Sequence, residues 1–230
     1  MMDDEIITLL KSHDRPAYLM LYGLPYAQRR EAMAIHALLI EAEMAHFDSS
    51  DALIAQIKLQ WWIDTLQAQT EPNHYLAQIL YSLPHKDLLV NALRNFQNFA
   101  HCQTAIQLGD ALQHCYAGFY HCQYLSCGGT PLDTVLQSLT NYATLRGLWR
   151  LSLAFAQNKQ RLSEVTTAAC LEEAYAHHAP LVLQHVPEND LVKLLIAPKI
   201  ALRSRLSSKK HLPLLIEMLL ILQTLCTKLS

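Results

Sequence analysis

Glycine is the first shortage. The 230 residues contain 6 glycines, where average usage near 7% would give roughly 16. Sheet-rich folds place glycine at turns and doubly wound folds place it in phosphate loops, so both are disfavoured. Charge is the second shortage. Charged residues make up 17% of the chain, against about 25% in an average soluble domain. The formal net charge of −2 leaves no electrostatic footprint for nucleic acid as a partner. None of the six cysteines forms a C-x-x-C pair, which argues against a zinc ribbon or a dense disulfide framework and for free thiols in a reducing cytosol. Long apolar runs are also missing. The longest, residues 212–225, is broken by Glu217 and Gln223 and falls short of the ~20 residues a bilayer span needs. The start, MMDDEIITLLKSHD, lacks the pattern of a signal peptide. The expectation is a soluble cytoplasmic chain whose contact with a membrane, if any, is peripheral at the inner face.

What is present points to helices. Hydrophobic residues reach 51% and leucine occurs 43 times, enough apolar surface to offset the entropy of ordering. Met33, Ala37, Ile40, Met44 and Phe47 recur at helical spacing, which predicts one helix over 25–47. Asp48, Ser49 and Ser50 offer cap chemistry for a second over 51–69. Pro72 and Pro84 bound a short third. Further helices are expected over 86–100 and 104–126. Gly128 and Gly129 punctuate the chain, and Thr130 with Pro131 opens a long helix to about 157. Helices over 163–186, 189–206 (interrupted by Pro198) and 211–228 complete one all-α domain spanning 1–230.

Several constellations invite chemistry. His101, Cys102, His114, Cys115, His121, Cys122 and Cys127 crowd together, but none share the i, i+3 or i, i+4 spacing a helical metal site needs. Packing is the better reading. Gln56, Gln60, Asp64 and Gln67 form a polar stripe that is either the solvated side of its helix or the lining of a cavity. Tyr142, Arg146 and Arg150 share a face in a stretch, 111–163, whose only acid is Asp133. Either they hold an anion, or distant carboxylates or water satisfy them. Lys193, Lys199, Arg203, Arg205, Lys209 and Lys210 form a basic stretch, read as a solvated face in preference to an anionic-lipid contact.

Residues 54–64, IAQIKLQWWID, resemble the EIRLQWWRD signature of the squalene/phytoene synthase family, especially its diverged branch. Asp14-Arg15-Pro16, Arg29-Arg30, the helix ending at Phe47, the helix of Tyr142–Arg150 and LIAPKIAL at 195–202 extend the resemblance over most of the chain. It implies an isoprenoid-synthase-like helical bundle around a central cavity. Active members condense prenyl diphosphates head to head, with Mg²⁺ held by two D-x-x-x-D motifs on facing helices.

This chain departs from that pattern. Glu43 stands at the first motif's first position, Phe47 at its second, and Asp48 follows. Leu151 and Phe155 stand where the second motif belongs, and residues 159–164 replace the family's GR-x-YLP. The branch includes an assembly factor of respiratory complex I that keeps the fold without the motifs. The resemblance therefore implies a non-catalytic protein with no cofactor, acting in assembly of a membrane complex or binding an apolar or isoprenoid ligand through Gln56, Gln60, Tyr142, Arg146 and Arg150. One alternative is an active Mg²⁺-dependent prenyl transferase using Glu43, Asp48 and Asp64, with Arg146 and Arg150 on the diphosphate. Another is a helical interaction module without a ligand.

Overall fold

A computed structural model describes residues 2–49, 51–99 and 105–156. Within them lie eight α-helices and one π-helical turn, and no strand. They are α1 (Met2–His13), α2 (Arg15–Tyr22), α3 (Tyr26–Glu43), the π-turn (Met44–Asp48), α4 (Ala52–Gln67), α5 (Tyr75–Tyr81), α6 (Lys86–Gln97), α7 (Ala105–Ser126) and α8 (Asp133–Ala156). The all-α expectation holds for these residues. The expected helices beyond 157, the basic stretch at 193–210 and the LIAPKIAL match lie outside them. No helix among the described residues is long and apolar enough to cross a membrane.

Helix α3 is the centre of the fold. Every residue from Ala32 to Ile40 is buried, and a helix apolar on all sides must be covered on all sides. Helices α1, α2, α5 and α7 supply that cover. Helix α7 in turn packs between α6 and α8. The backbone of Gly118 makes the α6–α7 approach possible, because a Cβ there would meet the Leu88 carbonyl. Fully buried Tyr116, Phe119, Tyr120 and Tyr124 on α7 fill the interior with rings.

The helix ends follow local chemistry. Asp14 caps α2, its Oδ1 accepting from the Ala17 amide at 3.1 Å, and proline occupies the first turn. Asp51, one residue beyond the expected Asp48–Ser50 group, caps α4 through the Leu53 amide at 2.8 Å. Helix α7 ends in a Schellman turn. Gly128 adopts φ +83°, and the Gly129 and Gly128 amides donate to the Tyr124 and Leu125 carbonyls, both at 3.0 Å. Helix α8 starts at Asp133 rather than at Pro131, with the Leu132 carbonyl accepting its first bonds. Helix α5 starts three residues after Pro72, at Tyr75. The two N-terminal helices have no counterpart in the sequence expectation, and they place Asp14 against α3 and α8.

Candidate functional site: a buried ion network between α2, α3 and α8

Arg146 lies at the heart of the molecule, 4% exposed. A guanidinium there must be paired and hydrogen-bonded to persist. Its Nε and Nη2 donate to the two oxygens of Glu43 at 3.1 and 3.0 Å, a bidentate fork. Its Nη1 donates to Asp14 Oδ2 at 2.7 Å. Asp14 Oδ2 also meets His36 Nε2 at 3.0 Å, while its other oxygen caps α2. One aspartate thus opens a helix, holds a histidine and binds an arginine. Burial works against the charge of Arg146, but Asp14 and Glu43 outweigh it, so its pKa stands well above the ordinary arginine value.

One turn along α8, Arg150 reaches Glu43 Oε2 through Nε at 3.4 Å and Asp48 Oδ2 through Nη2 at 3.0 Å. The π-turn makes the second contact possible. In an α-helix the residue at i+5 points well away from residue i, whereas an i→i+5 turn brings it back over the same face. Glu43 and Asp48 therefore face α8 together. Phe47, where the family resemblance would place a carboxylate, is buried with its ring 5.5 Å from the Arg150 guanidinium. Leu151, at the other motif position, is fully buried in the core. The network opens toward solvent at this end, since the Asp48 side chain is 25% exposed.

Tyrosines wall the network. Burial pushes the phenols of Tyr116, Tyr120 and Tyr142 upward. Tyr142 packs edge-on against Tyr120 with centroids 4.8 Å apart. The Tyr116 hydroxyl has no hydrogen-bond partner among the described residues, and Glu43, Arg146 and Arg150 all act on it electrostatically.

The candidate residues separate into two groups. Glu43, Asp48, Arg146 and Arg150 come together with Tyr142 beside them, but as partners of one another. Of the readings open for the two arginines, the described residues supply the distant carboxylates. Gln56, Gln60 and Asp64 do not join this group. All three are exposed, as the solvated-side reading of the stripe has it. Gln56 donates to the Gln97 carbonyl at 2.9 Å, Gln60 donates to Asp64 at 2.7 Å and accepts from Gln97 at 3.1 Å, and Gln67 accepts from Arg94 at 3.1 Å. The stripe is a polar ladder along the α4–α6 seam. Two members of the network, Asp14 and His36, are not among the candidate site residues of the sequence. Asp14 ahead of proline was a legible cap, and His36 lies seven residues before Glu43 on the same face of α3.

In the His/Cys-rich helix, His121 Nε2 meets the Leu136 carbonyl and Thr140 Oγ1, both at 3.0 Å. Burial lowers its pKa. Cys115, Cys122 and Cys127 are buried thiols outside any disulfide, and burial pushes Cys122 up to about 12 and Cys127 up to about 11.

A scan against protein-family models finds no match, and searches of curated proteins and of solved structures find none. The site must therefore be judged on its donors. The described residues do not fit a magnesium centre of the kind the family resemblance implies. Both oxygens of Glu43 accept from Arg146, Asp48 accepts from Arg150, and Asp64 stands apart on α4. No group of three His, Cys, Asp or Glu side chains among the described residues is arranged to hold a metal.

Proposed function

We propose that this chain is a non-catalytic protein of squalene/phytoene synthase type, a helical shell that acts in assembly of a membrane complex or in binding an apolar or isoprenoid ligand. One observation supports the reading above all. Where the resembling enzymes need carboxylates free to bind Mg²⁺, Glu43 and Asp48 are held by Arg146 and Arg150 of the same chain. The cation that faces the acids is built into α8. A carboxylate with both oxygens in a bidentate fork must lose that buried partner before it can bind metal, and an unpaired buried charge costs about 3–5 kcal/mol. A central cavity for an apolar ligand belongs to this reading as well.

The test is incubation with Mg²⁺ and farnesyl or geranylgeranyl diphosphate, with release of inorganic diphosphate as the readout. The expected rate is that of the protein-free control. Release that disappears in Glu43→Ala would overturn the reading and restore the prenyl transferase.

A further inference from the structure

A groove of about 230 Å³ opens between α1, α2 and the first turns of α3, away from the ion network. Its floor is apolar, formed by buried Ile6 and Met33 with half-buried Ile7. Tyr22 and Tyr26 stand at its mouth, 51% and 74% exposed. Large rings left that open are unusual cover for a floor that is already dry, and an amphipathic ring suits a boundary between an apolar ligand and water.

Arg29 forms one wall. Its Nε and Nη2 both donate to the Leu24 carbonyl, at 3.2 and 3.0 Å, and its guanidinium lies 4.3 Å from the Tyr22 ring centroid. The side chain is thus fixed, yet its charge meets a carbonyl dipole and a π-face, not a carboxylate, among the described residues. Arg30 lines the same groove. A fixed, half-buried guanidinium beside an apolar slot matches an anionic head on an apolar chain.

Size narrows the class. At about 230 Å³ the groove lies below the ~300–1,000 Å³ typical of sites for drug-sized ligands, which suits one short alkyl chain.

We propose that this groove binds a free single-chain fatty acid, its carboxylate on Arg29 and its chain over Ile6, Ile7 and Met33. The inference does not depend on the non-catalytic reading of the ion network, since it concerns a different face of the molecule.

Calorimetric titration of the full chain with decanoate, below its micellar range, tests it. The expected result is one saturable site, with decyltrimethylammonium at least tenfold weaker. Tyr26→Asp, at an exposed position, should weaken decanoate binding at least tenfold by placing a like charge at the mouth. Arg29→Gln should abolish it and Arg29→Lys should retain part of it. Absence of saturable decanoate binding overturns the proposal, as does equal binding of the two head-group charges or indifference to Tyr26→Asp. Binding to phosphatidylglycerol vesicles without binding to free decanoate also overturns it, and would assign the face to a membrane surface.

Discussion

Helix α3 carries Arg29 and Arg30 just after its first turn and runs into Glu43 and Asp48. Helix dipoles favour the opposite arrangement, anions at the amino end and cations at the carboxyl end, by ~0.3–1 kcal/mol each. The two ends handle this mismatch differently. At the carboxyl end the chain brings its own counter-charge, the guanidiniums of α8, into a buried network that also collects Asp14 and His36. At the amino end, no acid stands in the first turn and Arg29 rests on a carbonyl and an aromatic ring. One end is closed on itself. The other is an open groove with an apolar floor. The contrast shows how the acids at one end of a helix can be sealed by arginines over 100 residues away while the arginine at the other end faces an open groove.

Breaking the sealed end should cost most. Arg146→Ala leaves Glu43 and Asp14 buried without their main partner, and urea unfolding should show a loss of about 3–5 kcal/mol. Arg150→Ala should cost less, about 1–3 kcal/mol, because its side chain is 12% exposed and Arg146 still holds Glu43. Alkaline pH should weaken the same region. The buried phenols of Tyr116 and Tyr142 have pKa values well above the ordinary 10.0. In the unfolded chain they release protons near that value while the folded protein retains them. Stability contributed by the neutral phenols is therefore intact below about pH 10 and falls as pH rises toward the folded values. A series of urea titrations from pH 8 to 11 reads that decline. At the open end the effect should be smallest. Tyr26→Asp puts an acid into the first turn of α3 at an exposed site, so its stability should change by no more than about 0.5–1 kcal/mol, toward stabilisation if at all.

The helices were legible because their signals are local. Proline, the glycine pair at 128–129 and the 3.6-residue period mark most of them to within a few residues. The ion network was not, because its arginine–carboxylate partners are separated by 102 to 132 positions and nothing in a single sequence pairs Asp14 with Arg146. The shortage of acids over 111–163 carried half the information: the arginines of α8 had to find carboxylates elsewhere. The π-turn was equally hidden. Its residues, Met44–Asp48, have ordinary helical propensities, and only the i→i+5 register moves Asp48 onto the face of Glu43. The Gln56–Gln67 stripe shows the reverse case, since its simpler reading as a solvated edge was available from the pattern alone.

The claim that the acids of α3 are matched by the chain's own arginines is tested most directly by a double-mutant cycle on Glu43 and Arg146. Unfolding free energies would be measured for Glu43→Gln, Arg146→Gln and the pair. The account predicts that the double variant is less destabilised than the sum of the singles by about 1–3 kcal/mol. Additivity to within about 0.3 kcal/mol would contradict it, because two residues that do not depend on each other cannot form the seal.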